Sequence, residues 1–278
     1  MKRVRKAIII ILTMSLLLSF SGCSGLSEGV KYKNVADGLA LFRYTGVPTA
    51  TVLAIPAEKD GKPVVEIMEF AVASAEYLTT IVIGKNIKKI DDRAFTNCPS
   101  LVRYAVQAGN KYFETDENGV LYTKDKKALV AYPSARVKLQ KDSNGKIIKG
   151  AEFDVPASVT EIWDAAFYLC GNLSKITFPE GLKKIGNYAF MKCGNLTDFT
   201  LPNSLTEIGS DAFSYCDSLT VVTIPKNVKS IGDYAFFSLS SNITKIHVSK
   251  PKSELQLGKS WIPFVTGHVN VPVAVEYS

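Results

Sequence analysis

Histidine is all but missing from the chain: His247 and His268 are the only two. Acid–base and nucleophilic catalysis draw most often on a histidine held in reach of a partner group. The sequence places no serine or carboxylate beside either one, and His247 falls in the polar phase of an expected strand. The cysteines lack the short Cys-x₂₋₄-Cys spacing of structural zinc sites, so no metal is expected. There is no G-x-G-x-x-G and no Walker loop, and no cofactor is implied. Nor is there an apolar run of the roughly 20 residues that a membrane-spanning helix needs; Ala7–Phe20 has 14. Acid is absent from residues 1–22, which carry Lys2, Arg3, Arg5 and Lys6. Without that segment the formal charge of +7 falls to +3, 29 basic residues against 26 acidic. A field that weak, with no basic stripe, gives no reason to expect a nucleic-acid partner. A composition of 46% hydrophobic and 21% charged residues excludes wholesale disorder and a collagen-like fibre.

The cationic start, the short apolar stretch and the small residues Ser21 and Gly22 form an export signal, to be left out of fold reasoning. Phe20-Ser21-Gly22-Cys23 resembles a bacterial lipobox, with Phe20 where leucine is usual. That resemblance implies lipidation at Cys23 and a membrane anchor through the lipid, facing outside. Residues 24–33 are polar and rich in Gly and Ser and read as a tether.

What the chain has in abundance is itself. Residues 155–178 (VPASVTEIWDAAFYLCGNLSKITF), 178–201 and 201–224 align without gaps, and 224–248 follows with one extra residue near Ser241. Ile162, Ile185, Ile208 and Ile231 are 23 apart, as are Phe167, Phe190, Phe213 and Phe236, and Pro156, Pro179, Pro202 and Pro225. Cys170, Cys193 and Cys216 share one place, which Leu239 takes in the fourth unit. Units around Ile90 (Ala94, Phe95, Cys98, Leu101) and, more loosely, Ile67 (Ala71, Val72, Ala75, Leu78) bring the count to about six. Each unit contains an alternating run such as Leu173, Ile176 and Phe178, the pattern of a strand with one buried face. The proline after it ends the strand. The stretch from isoleucine to cysteine reads as a tight turn or a short helical turn. One such unit cannot bury its own apolar face, whereas stacked units bury one another's in a solenoid. The cysteines read as a ladder of small buried side chains, with a Cys170–Cys193 or Cys193–Cys216 disulfide as the alternative.

The pattern Leu-x-x-Ile-x-Ile-Pro-x-x-Val-x-x-Ile-Gly-x-x-Ala-Phe-x-x-Cys resembles the BspA-like leucine-rich repeat proteins of bacterial cell surfaces. It is specific over 155–248 and weaker over 34–106 and the C-terminus; Trp163 stands where glycine is usual. Val35–Pro63 looks like that family's N-terminal cap. The resemblance implies an α/β repeat solenoid, a right-handed strand-rich coil with short helical turns, and a surface location. Loosely, it implies adhesion or binding of a protein or glycan.

The predicted organisation is a signal at 1–22, a tether at 23–33, a cap at 34–66, coils at 67–106, an insert at 107–154, coils at 155–248 and a C-terminal cap at 249–278. Within the insert, Val120–Thr123 and Ala128–Tyr132 flank Lys124-Asp125-Lys126-Lys127 and read as a hairpin; Ser143-Asn144-Gly145-Lys146 is a second turn signal. Trp261 reads as a cap residue. Outward strand positions are Thr80 and Val82, Arg103 and Ala105, Lys175 and Thr177, Asp198 and Thr200, Val221 and Thr223, Lys245 and His247. Thr177, Thr200 and Thr223 would form a ladder, and Tyr168 and Tyr215 beside the Ala-Phe turns are further surface anchors. Three functions compete: a surface-anchored binding or adhesion module, a structural scaffold without a dedicated ligand, and, with least support, an enzyme or its accessory subunit.

Overall fold

The computed structural model describes residues 28–46, 49–136, 140–141, 143, 147–197, 199–238, 242–262 and 273–278. The chain winds into a strand-rich solenoid of about eight turns with almost no helix. The repeated isoleucines each end a two-residue strand: Glu161–Ile162, Lys184–Ile185, Glu207–Ile208 and Ser230–Ile231. These pair in parallel, isoleucine beside isoleucine. One side of this narrow sheet is therefore an aliphatic wall. Charge alternates on the other, where Lys184 Nζ lies 3.5 Å from Glu161 and 3.9 Å from Glu207. The alternating runs form the second side of the coil as Leu173–Thr177, Val221–Ile224 and Lys245–Val248. Each proline carbonyl then accepts the N–H three residues on, as from Pro179 to Leu182 at 3.0 Å. This closes a β-turn where a proline can sit without being asked to donate.

The stretch from isoleucine to cysteine is an arc of tight turns rather than helical ones. Among the described residues the only helix is a single 3₁₀ turn, Lys252–Glu254. The arc repeats positive φ at two fixed places. One is three residues past the isoleucine, at Ala165, Tyr188, Asp211 and Tyr234; the other is seven past, at Leu169, Lys192 and Tyr215. Alternating left- and right-handed residues turn every second N–H along the solenoid axis. Ala165, Phe167 and Leu169 donate to the Asn187, Ala189 and Met191 carbonyls of the next coil at 2.8, 2.7 and 3.0 Å. Tyr188, Phe190 and Lys192 repeat this to Ser210, Ala212 and Ser214. The arc thus satisfies its buried backbone between coils, where a helix would do so within itself.

Inside, the phenylalanines stack face to face. Phe167, Phe190, Phe213 and Phe236 follow one another at centroid spacings of 4.7, 5.1 and 5.3 Å, the last two pairs tilted by 3°. Beside them the cysteines are free and buried. The Cys193 thiol donates to the Phe167 carbonyl and Cys216 to Phe190, each at 3.1 Å. Desolvation raises the Cys98 thiol to about 11 and pushes Cys170, Cys193 and Cys216 higher still. The buried ladder, not a bridge, is what the structure contains.

Two stretches outside the strict repeat also form coils. After Val248, Gln256–Leu257 pairs in parallel with Ser230–Ile231. Ala274–Tyr277 pairs with Lys245–Val248, and the Trp261 ring meets Phe236 edge-on at 6.5 Å. Within the interruption, Phe113–Thr115 and Leu121–Thr123 form an antiparallel hairpin. Ala128–Ala131 pairs with Leu121–Thr123 on one side and in parallel with Glu161–Ile162 on the other. Leu129 therefore holds an isoleucine place, and Tyr132 stacks on Phe167 at 4.9 Å in the phenylalanine place. Only three positions separate them, against five in a regular coil, so this coil lacks most of its arc. The second turn signal, Ser143 to Lys146, lies mostly outside the described residues, between the paired strands Gln140–Lys141 and Ile147–Lys149.

Candidate interaction surface

Parallel pairing sets which outward side chains become neighbours. Val221 lies beside Lys245, which has Ala274 on its other side, and Thr223 lies beside His247, with Glu276 beyond it. Val221 is 53% exposed, large for a valine on a folded surface. Glu276 gathers two side chains from the neighbouring strand: Lys245 Nζ is 2.7 Å and His247 Nδ1 3.1 Å from its carboxylate. The hydrogen bond from Lys245 is the chief cause that holds the Glu276 carboxyl below its ordinary value. Lys175 and Thr177 are exposed and face Glu152 and Asp154 on the preceding strand, Ala151–Asp154. Sequence reasoning missed Glu152, Asp154 and Glu276, because the strands that carry them show no repeat. Alternation next to a known strand was the one available signal.

Other expected positions fare differently. Thr200 is exposed, but the strands Leu173–Thr177 and Val221–Ile224 belong to separate sheets. The Thr177–Thr200–Thr223 ladder is therefore not a continuous hydrogen-bonded row. The bulky Phe199 stands at this break, in an inward place held elsewhere by Ile176 and Val222, and stacks on Phe213 at 4.8 Å. Asp198, His268 and Cys23 lie outside the described residues. Val82 and Ala105 are buried, at 2% and 3% exposure, and offer nothing to a partner. At Ala105's strand the cause is the insert: the Tyr104 N–H donates to the Gly119 carbonyl at 2.8 Å, which seats the hairpin turn against that edge. Tyr168 and Tyr215 are half-buried on the arc, and Tyr215 meets the ring of Phe237 edge-on at 5.9 Å, with Tyr234 beyond it.

The arc side carries a second feature. Where the Leu129 coil lacks its arc, a cleft of about 280 Å³ opens, lined by Glu69, Asp91, Asp92, Arg93, Asp164, Asn187 and Tyr188. Most of its carboxylates are engaged. Asp91 lies 2.6 Å from Lys89 Nζ, Glu69 pairs with Arg93, and Asp164 accepts from the Asn187 backbone and side-chain N–H groups, each at 2.8 Å. Asp92 is raised above its usual value by desolvation and then by the charges of Asp164, Asp91 and Glu69. Among the described residues, no group of three or more His, Cys, Asp or Glu side chains is placed to hold a metal ion.

Stacked coils of about 23 residues, each with an isoleucine rung, a second strand and a tight arc, define a leucine-rich-repeat solenoid. The family model of the BspA type leucine rich repeat region matches six copies over residues 59–117 and 146–258, and the chain belongs to that family. The unmatched gap contains the strand Ala128–Ala131, the coil that lost its arc. Among solved structures, the pneumococcal vaccine antigen PcpA is 23% identical with a TM-score of 0.61, over 80% of this chain and 58% of that one. This chain thus matches little more than half the length of that antigen. A leucine rich cell surface protein from Faecalibacterium prausnitzii A2-165 is 18% identical with a TM-score of 0.50, over 87% of this chain and 94% of the other. At these identities the likeness is one of fold. No curated protein matches the sequence significantly.

Proposed function

We propose that this chain is a binding module displayed outside a bacterial cell, held to the membrane through a lipid on Cys23, with an extracellular protein or glycan as partner. The observation that carries the reading is the hydrogen-bonded face of Val221–Ile224, Lys245–Val248 and Ala274–Tyr277. An exposed valine sits there among threonine, lysine, histidine and glutamate. An apolar centre with a polar rim on a rigid support is the general anatomy of a recognition patch. The family supports a repeat protein that presents surface rather than encloses a substrate.

Soluble residues 24–278, probed on an array of glycans and extracellular-matrix proteins, test it. The expected result is a saturable hit that Val221→Asp weakens at least roughly tenfold, the scale of an anchor residue. No hit at micromolar protein would favour a scaffold instead. The anchor has its own test: Cys23→Ala should abolish incorporation of labelled palmitate and release the protein from membranes. Unchanged membrane retention would sink it.

A further inference from the structure

We propose that the solenoid is two blocks articulated at the coil that lost its arc, with the insert hairpin as pivot and Arg93 as the latch across the open side. Both strand ladders stop at this place. Lys89–Ile90 ends the first isoleucine-type sheet and Phe113–Thr115 begins the next; Arg103–Val106 ends one second-side sheet and Ala151–Asp154 begins another. The arc ladder stops as well. Phe70, Val72 and Ser74 donate forward to the Arg93, Ala94 and Thr96 carbonyls, and among the described residues no backbone hydrogen bond carries residues 91–97 on to a following coil.

The core divides in the same way. One cluster runs from Leu39 to Leu101 and Tyr104, the other from Ala151 to Trp261. The hairpin and its neighbouring strand are the wall between them. Leu121, Val130 and Ala131 pack on the first side; Val120, Tyr122, Leu129 and Tyr132 pack on the second. The blocks are thus joined at the pivot by packing and by backbone bonds from Tyr104 N–H to the Gly119 carbonyl and from Ala135 N–H to the Leu101 carbonyl, each 2.8 Å, and separated by the cleft at the arc.

One side chain crosses that cleft. The Arg93 guanidinium lies 4.8 Å from the Phe70 ring on its own block and 5.1 Å from the Tyr188 ring on the other, reaching past the coil of Ala165. Asp92 and Asp164 line opposite walls, and their like charges oppose closure. Trp163, half-buried, lines a smaller pocket that adjoins the cleft and shares Asp91, Asp92, Arg93 and Asp164 with it, and its ring is edge-on to Phe113 at 6.4 Å. Opening would uncover it. An articulated joint lets a solenoid change its curvature, and so the aim of its recognition face, without unfolding a coil.

Trp163 also makes the joint measurable. In a Trp261→Phe background, where Trp163 is the sole tryptophan, acrylamide quenching reads its exposure. Arg93→Ala should raise the quenching constant, and Asp92→Asn should lower it. Hydrogen exchange on the chain with both tryptophans is the companion readout. Arg93→Ala should speed exchange of segments 128–136 and 161–166 by roughly threefold, the effect of losing a cation–π contact, and leave 184–236 unchanged. The proposal is overturned if Arg93→Ala leaves both readouts unaltered. It is equally overturned if exchange rises alike in 184–236, which would mean general destabilisation.

Discussion

A ring in the middle of a stack loses two neighbours when it is cut away. Phe190 is fully buried and lies within 5.1 Å of both Phe167 and Phe213. The adjacent coils are held apart by backbone hydrogen bonds, so they cannot collapse into the void. Phe190→Ala should therefore cost about 3–5 kcal/mol, read from urea unfolding; a change under about 1 kcal/mol would remove the ring from the core. Asp92 offers a residue-scale test of sign. Its carboxyl holds a proton more tightly folded than unfolded, chiefly through desolvation. The ionised form at neutral pH is thus a cost of folding that disappears as pH falls through the folded value. Asp92→Asn should raise the urea midpoint at pH 7, and the gain should shrink as pH is lowered toward 4. A gain independent of pH would point to something other than charge. Trp163 shows how locally a repeat rule can lapse. A Cβ on Gly186 would meet the Asp164 backbone nitrogen at 2.7 Å, and one on Gly209 the Asn187 nitrogen at 2.5 Å. The coil before Trp163 has lost the arc that would crowd it, so a tryptophan fits where glycine is usual.

At the scale of the element, the isoleucine rungs, the phenylalanine stack, the proline turns and the cysteine ladder were legible because one side chain recurs at one place. The arc was not. Its left-handed residues are Ala165, Tyr188, Asp211 and Tyr234, with no glycine to mark them. Their conformation is held by the ladder to the next coil, which no single unit displays. The bonds from the Asn187 N–H to the Asp164 carboxylate and from the Ser210 N–H to the Asn187 side-chain oxygen, each 2.8 Å, were hidden for a similar reason: residue type varies while the role stays. Leu129 and Leu257 were missed as rungs because the first has a shortened arc and the second lies 26 residues after Ile231. The outward face was only partly readable, since Glu276 comes from that irregular last coil. Two substitutions test the arc. Gly209→Ala forces a Cβ against backbone and should destabilise by about 1–3 kcal/mol. Lys192 is exposed with φ 63°, a conformation that asparagine tolerates better than lysine. Lys192→Asn should raise the unfolding midpoint slightly; a clear loss would mean that the lysine side chain has a role of its own.

For the whole molecule, near-neighbour coupling decides how far a local insult travels. In a solenoid each coil touches only the next, so stability is close to a sum of coil and interface terms. Here the chain of interfaces is also interrupted, since among the described residues the two core clusters divide at the insert, where Leu121, Val130 and Ala131 pack on one side and Val120, Tyr122 and Leu129 on the other, with Trp163 packed against the first. Damage at Phe190 should therefore spread to the coils of Phe167 and Phe213, which share its ring stack and arc bonds, and fade at the hairpin wall. Hydrogen exchange on Phe190→Ala should show protection falling over roughly 155–236, while segments 62–67 and 80–90 keep the protection of the parent chain. Equal loss in both blocks would mean that the hairpin couples them as tightly as any regular coil interface does. In that case the solenoid would unfold as one unit, and its break in sheets and core would carry no energetic weight.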